Sequence, residues 1–166
     1  ETMQFYGEAF KRLCALFSVR PTRVACDMHP DYLSTRFAQR LKRTHPRLTV
    51  VPVQHHHAHV ASVAAEHRIP GTVIGVCFDG TGYGSDGHIW GGEFFYGKPH
   101  TLQRKAHLEY LPMPGGDKAA QEPWRMAASY LYHTLGENIY TLKIPFIQKY
   151  GLRLAPLLAA RRKRPV

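Results

Sequence analysis

Cysteine is scarce in this sequence: three residues in 166, Cys14, Cys26 and Cys77, none of them in a Cys-x-x-Cys pair. That spacing excludes a thiolate zinc knuckle and offers no disulfide framework. Each cysteine sits in an apolar stretch, as small buried side chains do, and a reducing, cytoplasmic setting is expected. Long apolar runs are also missing. None approaches the about 18 residues a membrane span requires, and no secretory leader is legible. Acidic residues are outnumbered, 12 Asp and Glu against 22 Lys and Arg, for a formal net charge of +10. Such an excess suits an anionic partner, yet four of the charges lie in one run, Arg161-Arg162-Lys163-Arg164, and the rest form no dense stripe. Aromatics interleaved with Lys and Arg, on which single-stranded nucleic acid stacks, are absent as well. Nucleic acid is therefore not the expected partner. A small anionic substrate or an acidic protein surface is.

What is present is enough apolar side chain, 44% of residues, to bury a core. The chain opens at Glu1 without a methionine and closes in the basic run, which reads as a piece of something larger. Phe5, Ala9, Phe10, Leu13, Leu16 and Phe17 recur at helical spacing over 2–17. Residues 23–27 read as a short buried strand, 34–43 as a helix, 48–53 as a β-branched strand, and 55–67 as a helix stopped by Pro70. Residues 72–79 form a near-continuous apolar run, the mark of a strand covered on both faces. This α-β-α-β-α rhythm predicts an α/β fold with a parallel sheet. After Asp79 the rhythm changes to strand, tight turn, strand and strand (88–96 and 102–111), then a helix from about 122 to 135. The join falls near Pro70-Gly71, dividing residues 1–70, the end of one α/β unit, from 71–166, the opening of a second unit with its basic tail. A cleft between two such units is where strand ends and turns converge.

The strongest local signal is Gln54-His55-His56-His57-Ala58-His59. On a helix, residues four apart share a face, so His55 and His59 present two imidazoles to one ion. Helix 55–67 joins strands 48–53 and 72–79, and parallel strands so joined are usually neighbours. That pairing would bring Asp79 to the same rim, and two His with one Asp suit iron(II) or zinc. The plainer readings stay open: a histidine-rich polar helix start, and an Asp that caps the turn after it. Asp79-Gly-Thr-Gly-Tyr-Gly84 reads as a glycine-rich turn whose N–H groups approach a phosphate, with Thr81 adding a hydroxyl, or as an ordinary hairpin turn. It is not a Walker loop, since no Gly-Lys-Ser/Thr follows. Asp27-Met-His29-Pro30-Asp31-Tyr32, Glu93 and Arg125 are further candidates, each open to a structural reading. Cys77 lacks a basic partner to activate it.

Four segments, CDMHPDYLST, VQHHHAHVASVAAEH, VCFDGTGYGSDGHIWGGEFF and LPMPGGDKAAQEPWRMAASYL, occur in that order. Together they resemble the C-terminal region of the HypF carbamoyltransferases, over about residues 23–135. The resemblance implies a two-lobed actin-like or sugar-kinase-like (ribonuclease H-like) fold, of which this chain would hold the end of lobe one and the start of lobe two. It implies that a YrdC-like domain, not seen here, makes carbamoyl-adenylate from carbamoyl phosphate and ATP. This region would bind that adenylate and pass the carbamoyl group to the C-terminal cysteine of HypE during nickel–iron hydrogenase maturation. It further implies that His55, His59 and Asp79 hold a divalent metal, iron or zinc. Gly80, Thr81, Gly82 and Gly84 would contact phosphate. Apart from the resemblance, His56, pointing toward substrate, second shell or solvent, and Glu93 are the candidate catalytic residues. Two other functions compete: O-carbamoylation of a small-molecule hydroxyl, and a non-catalytic metal- or nucleotide-binding docking module.

Overall fold

The computed structural model describes residues 2–160; the basic run Arg161–Arg164 lies outside the described residues. The α/β alternation of the first half is present. Helix α1 (Thr2–Leu16) precedes strand β1 (Arg23–Asp27), helix α2 (Leu33–Thr44), strand β2 (Thr49–Val53) and helix α3 (His55–Glu66). Strands β1 and β2 pair in parallel, with Asp27 opposite Val53. The last residue of β1 therefore lies beside the point where the chain enters α3. Helix α3 starts where it does because Gln54 caps it: its side-chain oxygen accepts the His57 N–H at 2.9 Å, satisfying a donor the first turn leaves free.

The second sheet departs from expectation in two respects. Strand β3 (Val73–Tyr83) does not pair with β2; it forms a separate antiparallel sheet with β4 (Ile89–Gly97) and β5 (Gln103–His107). The adjacency rule for joined parallel strands fails because β3 finds its partner forward in the chain, in a hairpin. The apolar run is also not covered twice among the described residues. Gly75 and Cys77 turn inward, while Ile74, Val76 and Phe78 are exposed on the opposite face. Helix α3 covers the inner face, closely enough that a Cβ on Gly75 would lie 2.7 Å from Val60 Cγ1. Cys77, Trp90, Phe95 and Leu102 form the core beneath it.

The glycine segment is likewise strand rather than turn. Residues Gly80–Tyr83 extend β3, and the reversal comes later, where Gly84 N–H donates to the His88 carbonyl and Gly87 has φ +82°. A bulge interrupts the ladder: Phe78 faces Gly92 and Gly82 faces Trp90, leaving Asp79, Gly80 and Thr81 opposite Gly91 alone. Such irregularities re-aim side chains. Beyond the sheet come helix α4 (Lys118–Gln121), helix α5 (Trp124–Leu135), a 3-10 segment (Gly136–Thr141) and helix α6 (Pro145–Ala160). Past Gly136 the side-chain pattern is too weak to predict these elements. Ala128, Ile139, Ile147, Leu154 and Leu158 make a second core there. Among the described residues no helix is long and apolar enough to cross a membrane.

The β3–β4 reversal is tied down by Asp86. It accepts from Trp90 Nε1 at 2.8 Å, Tyr110 Oη at 2.6 Å and Arg104 Nη1 at 3.2 Å. Partial burial alone would raise its pKa; the hydrogen bonds from Tyr110, the His88 N–H and Trp90 outweigh that and hold it at about 2. A carboxyl depressed in the folded state stabilises above its ordinary pKa, and that contribution disappears as pH falls through the folded value. Native stability is therefore expected to drop between the ordinary value of 3.8 and about 2. Asp86→Asn should be less stable at neutral pH and flatter over that window, as denaturant midpoints across a pH series would show. The side chain is 38% exposed, so solvent screening keeps the effect modest.

Candidate metal and nucleotide site

Three elements meet at one point: the end of β1, the first turn of α3 and the bulge in β3. His55 and His59, one helical turn apart on α3, face each other with Nε2 atoms 3.2 Å apart. Asp79 Oδ2 lies 3.0 Å from His55 Nε2 and 3.4 Å from His59 Nε2. On the far side of the His55 ring, Nδ1 lies 2.7 Å from Asp27 Oδ2. The carboxylate of Asp27 only accepts, so Nδ1 donates to it and Nε2 is the nitrogen available to a cation.

Two imidazole nitrogens and one carboxylate oxygen thus converge on one point. Such a cluster is held together either by a proton on an imidazole, paired with Asp79, or by a shared cation. Ligands about 2.0–2.1 Å from a tetrahedral zinc stand about 3.4 Å from one another, so the observed 3.0, 3.2 and 3.4 Å separations suit one ion. The donor set fits the group that the resemblance implies. Burial pushes the Asp79 carboxyl up, but the Gly80 N–H at 2.6 Å and the two imidazoles hold it below the ordinary value, so it is ionised as a ligand must be. Asp79 reaches the histidines although β3 is not beside β2. Helix α3 packs across β3, and that contact does the work assigned to strand adjacency.

His56 is fully buried, and burial holds its pKa below the ordinary value. Because Gln54 Oε1 is committed to the His57 N–H, Gln54 Nε2 faces His56 Nδ1 at 3.3 Å and donates to it. The His56 proton then sits on Nε2, which has no hydrogen-bond partner and points toward Asp79 Oδ2 at 4.0 Å. The helix cap thus sets the tautomer of a histidine aimed at the site. His57 turns away, edge-on to Phe95 at 4.8 Å between ring centres.

Asp79 also borders a cavity of about 950 Å³, whose lining includes Gly80, Thr81, the Leu108–Asp117 loop, Met126 and Tyr130. Its size and largely apolar lining with a few polar groups match a small-molecule pocket. Of the four residues expected to contact phosphate, Gly80 and Thr81 border this cavity. Gly82 and Gly84 do not: a Cβ on Gly82 would lie 2.3 Å from His56 Cε1, and one on Gly84 would lie 2.2 Å from Trp90 Nε1. Neither has positive φ, so these two glycines serve close packing rather than an anion-binding turn. Glu93 lines the cavity but is not brought among the histidines. Its carboxylate accepts from Arg104 and from the Gly91 and Gly92 N–H groups. Arg125 donates to Glu122 at 2.6 Å and to the Pro114 carbonyl at 3.4 Å, pinning the loop. Cys77 is buried and its thiol is pushed up by that burial, which disfavours a nucleophilic role. Asp27 was legible only as one of several acids near a strand end. Its bond to His55 depends on the β1–β2 pairing.

Residues 1–66 match the model described as "HypF Kae1-like domain", and residues 75–163 match "Carbamoyltransferase, Kae1-like Domain, second subdomain". The chain belongs to the HypF carbamoyltransferase family. It is 47% identical over 131 residues to carbamoyltransferase HypF of Rhizobium leguminosarum bv. viciae, covering 79% of this chain and 17% of the relative. It is 48% identical to HypF2 of Cupriavidus necator, covering 79% of this chain and 16% of the relative. The match thus spans only a small part of these HypF proteins. A crystal structure of full-length HypF in a phosphate- and nucleotide-bound form superposes with a TM-score of 0.76 at 37% identity, over 96% of this chain and 20% of that one. T. kodakarensis HypF gives a TM-score of 0.69 at 30% identity, over 95% of this chain and 22% of that one.

Proposed function

We propose that this HypF region binds carbamoyl-adenylate and transfers its carbamoyl group to the C-terminal cysteine of HypE in hydrogenase maturation. One observation carries the reading: Asp79 belongs both to the three-donor cluster and to the rim of the 950 Å³ cavity. A cation there lies within reach of a ligand in the cavity. His55, His59 and Asp79 hold iron or zinc, which supplies Lewis-acid charge to phosphate oxygens when bound. Gly80 and Thr81 meet the phosphate, and the Leu108–Asp117 loop encloses the nucleoside. That a related full-length HypF crystallised in a phosphate- and nucleotide-bound form supports a nucleotide-type substrate.

In the transfer, the HypE sulfur forms a bond to the carbamoyl carbon, the carbon–oxygen bond to phosphate breaks, and AMP leaves. No nucleophile is needed from this chain. Its residues hold the mixed anhydride, keep water out and orient it for attack. His56 Nε2–H supplies a buried donor facing the acid ligand, and Glu93 acts by holding Arg104 rather than by touching reacting atoms. The two family matches, ending at 66 and resuming at 75, support the division near residue 70 into the end of one actin-like lobe and the start of another. Three unpaired cysteines suit the cytoplasm.

The full-length protein, given carbamoyl phosphate, ATP and HypE, is expected to yield a thiocarbamate on the HypE C-terminal cysteine, read by mass spectrometry. Carbamoylation of a small hydroxyl acceptor in place of HypE would replace this function with O-carbamoylation. Absence of adenine-dependent binding in an ATP titration would reduce the region to a docking module.

A further inference from the structure

We propose that Asp27 is a positioning residue for the cation site, setting the tautomer of His55; this rests on the cation reading above. Asp27 ends β1 with its side chain 14% exposed, and its two oxygens have different tasks. Oδ1 accepts the His29 backbone N–H at 2.8 Å, while the Asp27 carbonyl accepts from Thr35 Oγ1 at 3.1 Å. With the residue held at both points, Oδ2 is aimed at His55 Nδ1, 2.7 Å away. A proton on Nδ1 is thereby held by Asp27, and Nε2 is the nitrogen that faces Asp79 and His59. An outer carboxylate of this kind orients a metal-binding imidazole and raises its basicity.

The two tasks make an unusual prediction for Asp27→Asn, which hardly alters shape. The His29 N–H needs an acceptor, so the amide oxygen takes the place of Oδ1. The NH₂ group then falls opposite His55 Nδ1. That group only donates, so Nδ1 becomes the acceptor, the ring proton moves to Nε2, and the atom that should face the cation is blocked. Asp27→Ala leaves Nδ1 open to water and both tautomers accessible. Cation affinity should therefore fall in the order wild type, alanine, asparagine. A role in packing alone gives the reverse order for the two variants, since asparagine fills the space and alanine does not.

The test is zinc titration against a competing chelator with the full-length protein, its Asp27→Ala and Asp27→Asn variants, and His59→Ala. Thermal unfolding in EDTA checks that each is folded. Zinc affinity is expected to fall about 10- to 100-fold in Asp27→Ala and at least as far in Asp27→Asn, and the His59 change should remove the site. Wild-type affinity in Asp27→Asn, or weaker binding by alanine than by asparagine, with binding still dependent on His59, overturns the role of Asp27 and leaves the cation reading standing. Zinc binding indifferent to His59→Ala overturns both. Should the Asp27 variants not fold, ¹⁵N shifts of histidine-labelled wild-type protein without metal decide the matter: His55 protonated on Nδ1 is expected, and a neutral ring protonated on Nε2 refutes the proposal.

Discussion

Replacing His59 with alanine is expected to abolish carbamoyl transfer by the full-length protein while leaving its fold intact. The side chain is 54% exposed, so its loss opens no cavity in either core. What it removes is one of three donor atoms. The remaining two, His55 Nε2 and Asp79 Oδ2, are 3.0 Å apart and supply only part of a coordination shell. Loss of an outer-shell partner typically costs 10–100-fold in metal affinity or activity, so loss of a direct ligand should exceed about 100-fold. Metal content by atomic emission and transfer to HypE should fall together, with an unchanged circular dichroism spectrum. Full transfer by the variant would remove the physical basis of the assignment.

Gly82→Ala should cost both stability and metal binding, for lack of room rather than for lack of conformational freedom. The backbone there is ordinary strand, but the added Cβ would stand 2.3 Å from His56 Cε1, 2.9 Å from His56 Nδ1 and 3.1 Å from His55 Cδ2. Neither ring can retreat freely. His56 is fully buried and held by Gln54, while His55 is held by Asp27. Overpacking of this kind costs about 1–3 kcal/mol, and any relief comes from moving the two histidines out of register with Asp79. Thermal unfolding and zinc affinity should therefore decline together. A variant with wild-type values of both would mean that the α3–β3 contact is looser than it stands here. An anion-binding role for Gly82 would instead appear as weakened nucleotide affinity with metal binding intact.

Much of this was legible residue by residue. The period of Val60, Val63 and Ala64 together with the four-residue spacing of His55 and His59 placed two imidazoles on one helical face. The acid after the apolar run 72–78 marked the carboxylate that the structure brings to them. The route by which they meet was not legible. Strand adjacency between β2 and β3 was the natural inference from a helix joining two strands, and it fails because β3 pairs forward with β4. The glycines of Asp79–Gly84 were read through backbone freedom, the commonest reason for glycine in a run, whereas Gly82 and Gly84 are there to admit His56 and Trp90. Nothing in one sequence separates these uses, because both require only the absence of a Cβ. The helix beyond Gly136 escapes because Gly151 and Pro156 break its pattern; its core emerges only when Ile147, Leu154 and Leu158 pack on Ala128 and Ile139.

By itself the sequence determined the α/β alternation of the first half and the donor types, since side-chain period and ligand chemistry are local properties that neighbours along the chain already express. Tertiary structure alone decided three things: that α3 lies across the inner face of β3, that Asp79 on that face meets His55, and that Asp27 reaches the far side of the same ring. These depend on atoms 24 and 28 residues apart in the chain, whose distances follow from packing and strand pairing and not from spacing.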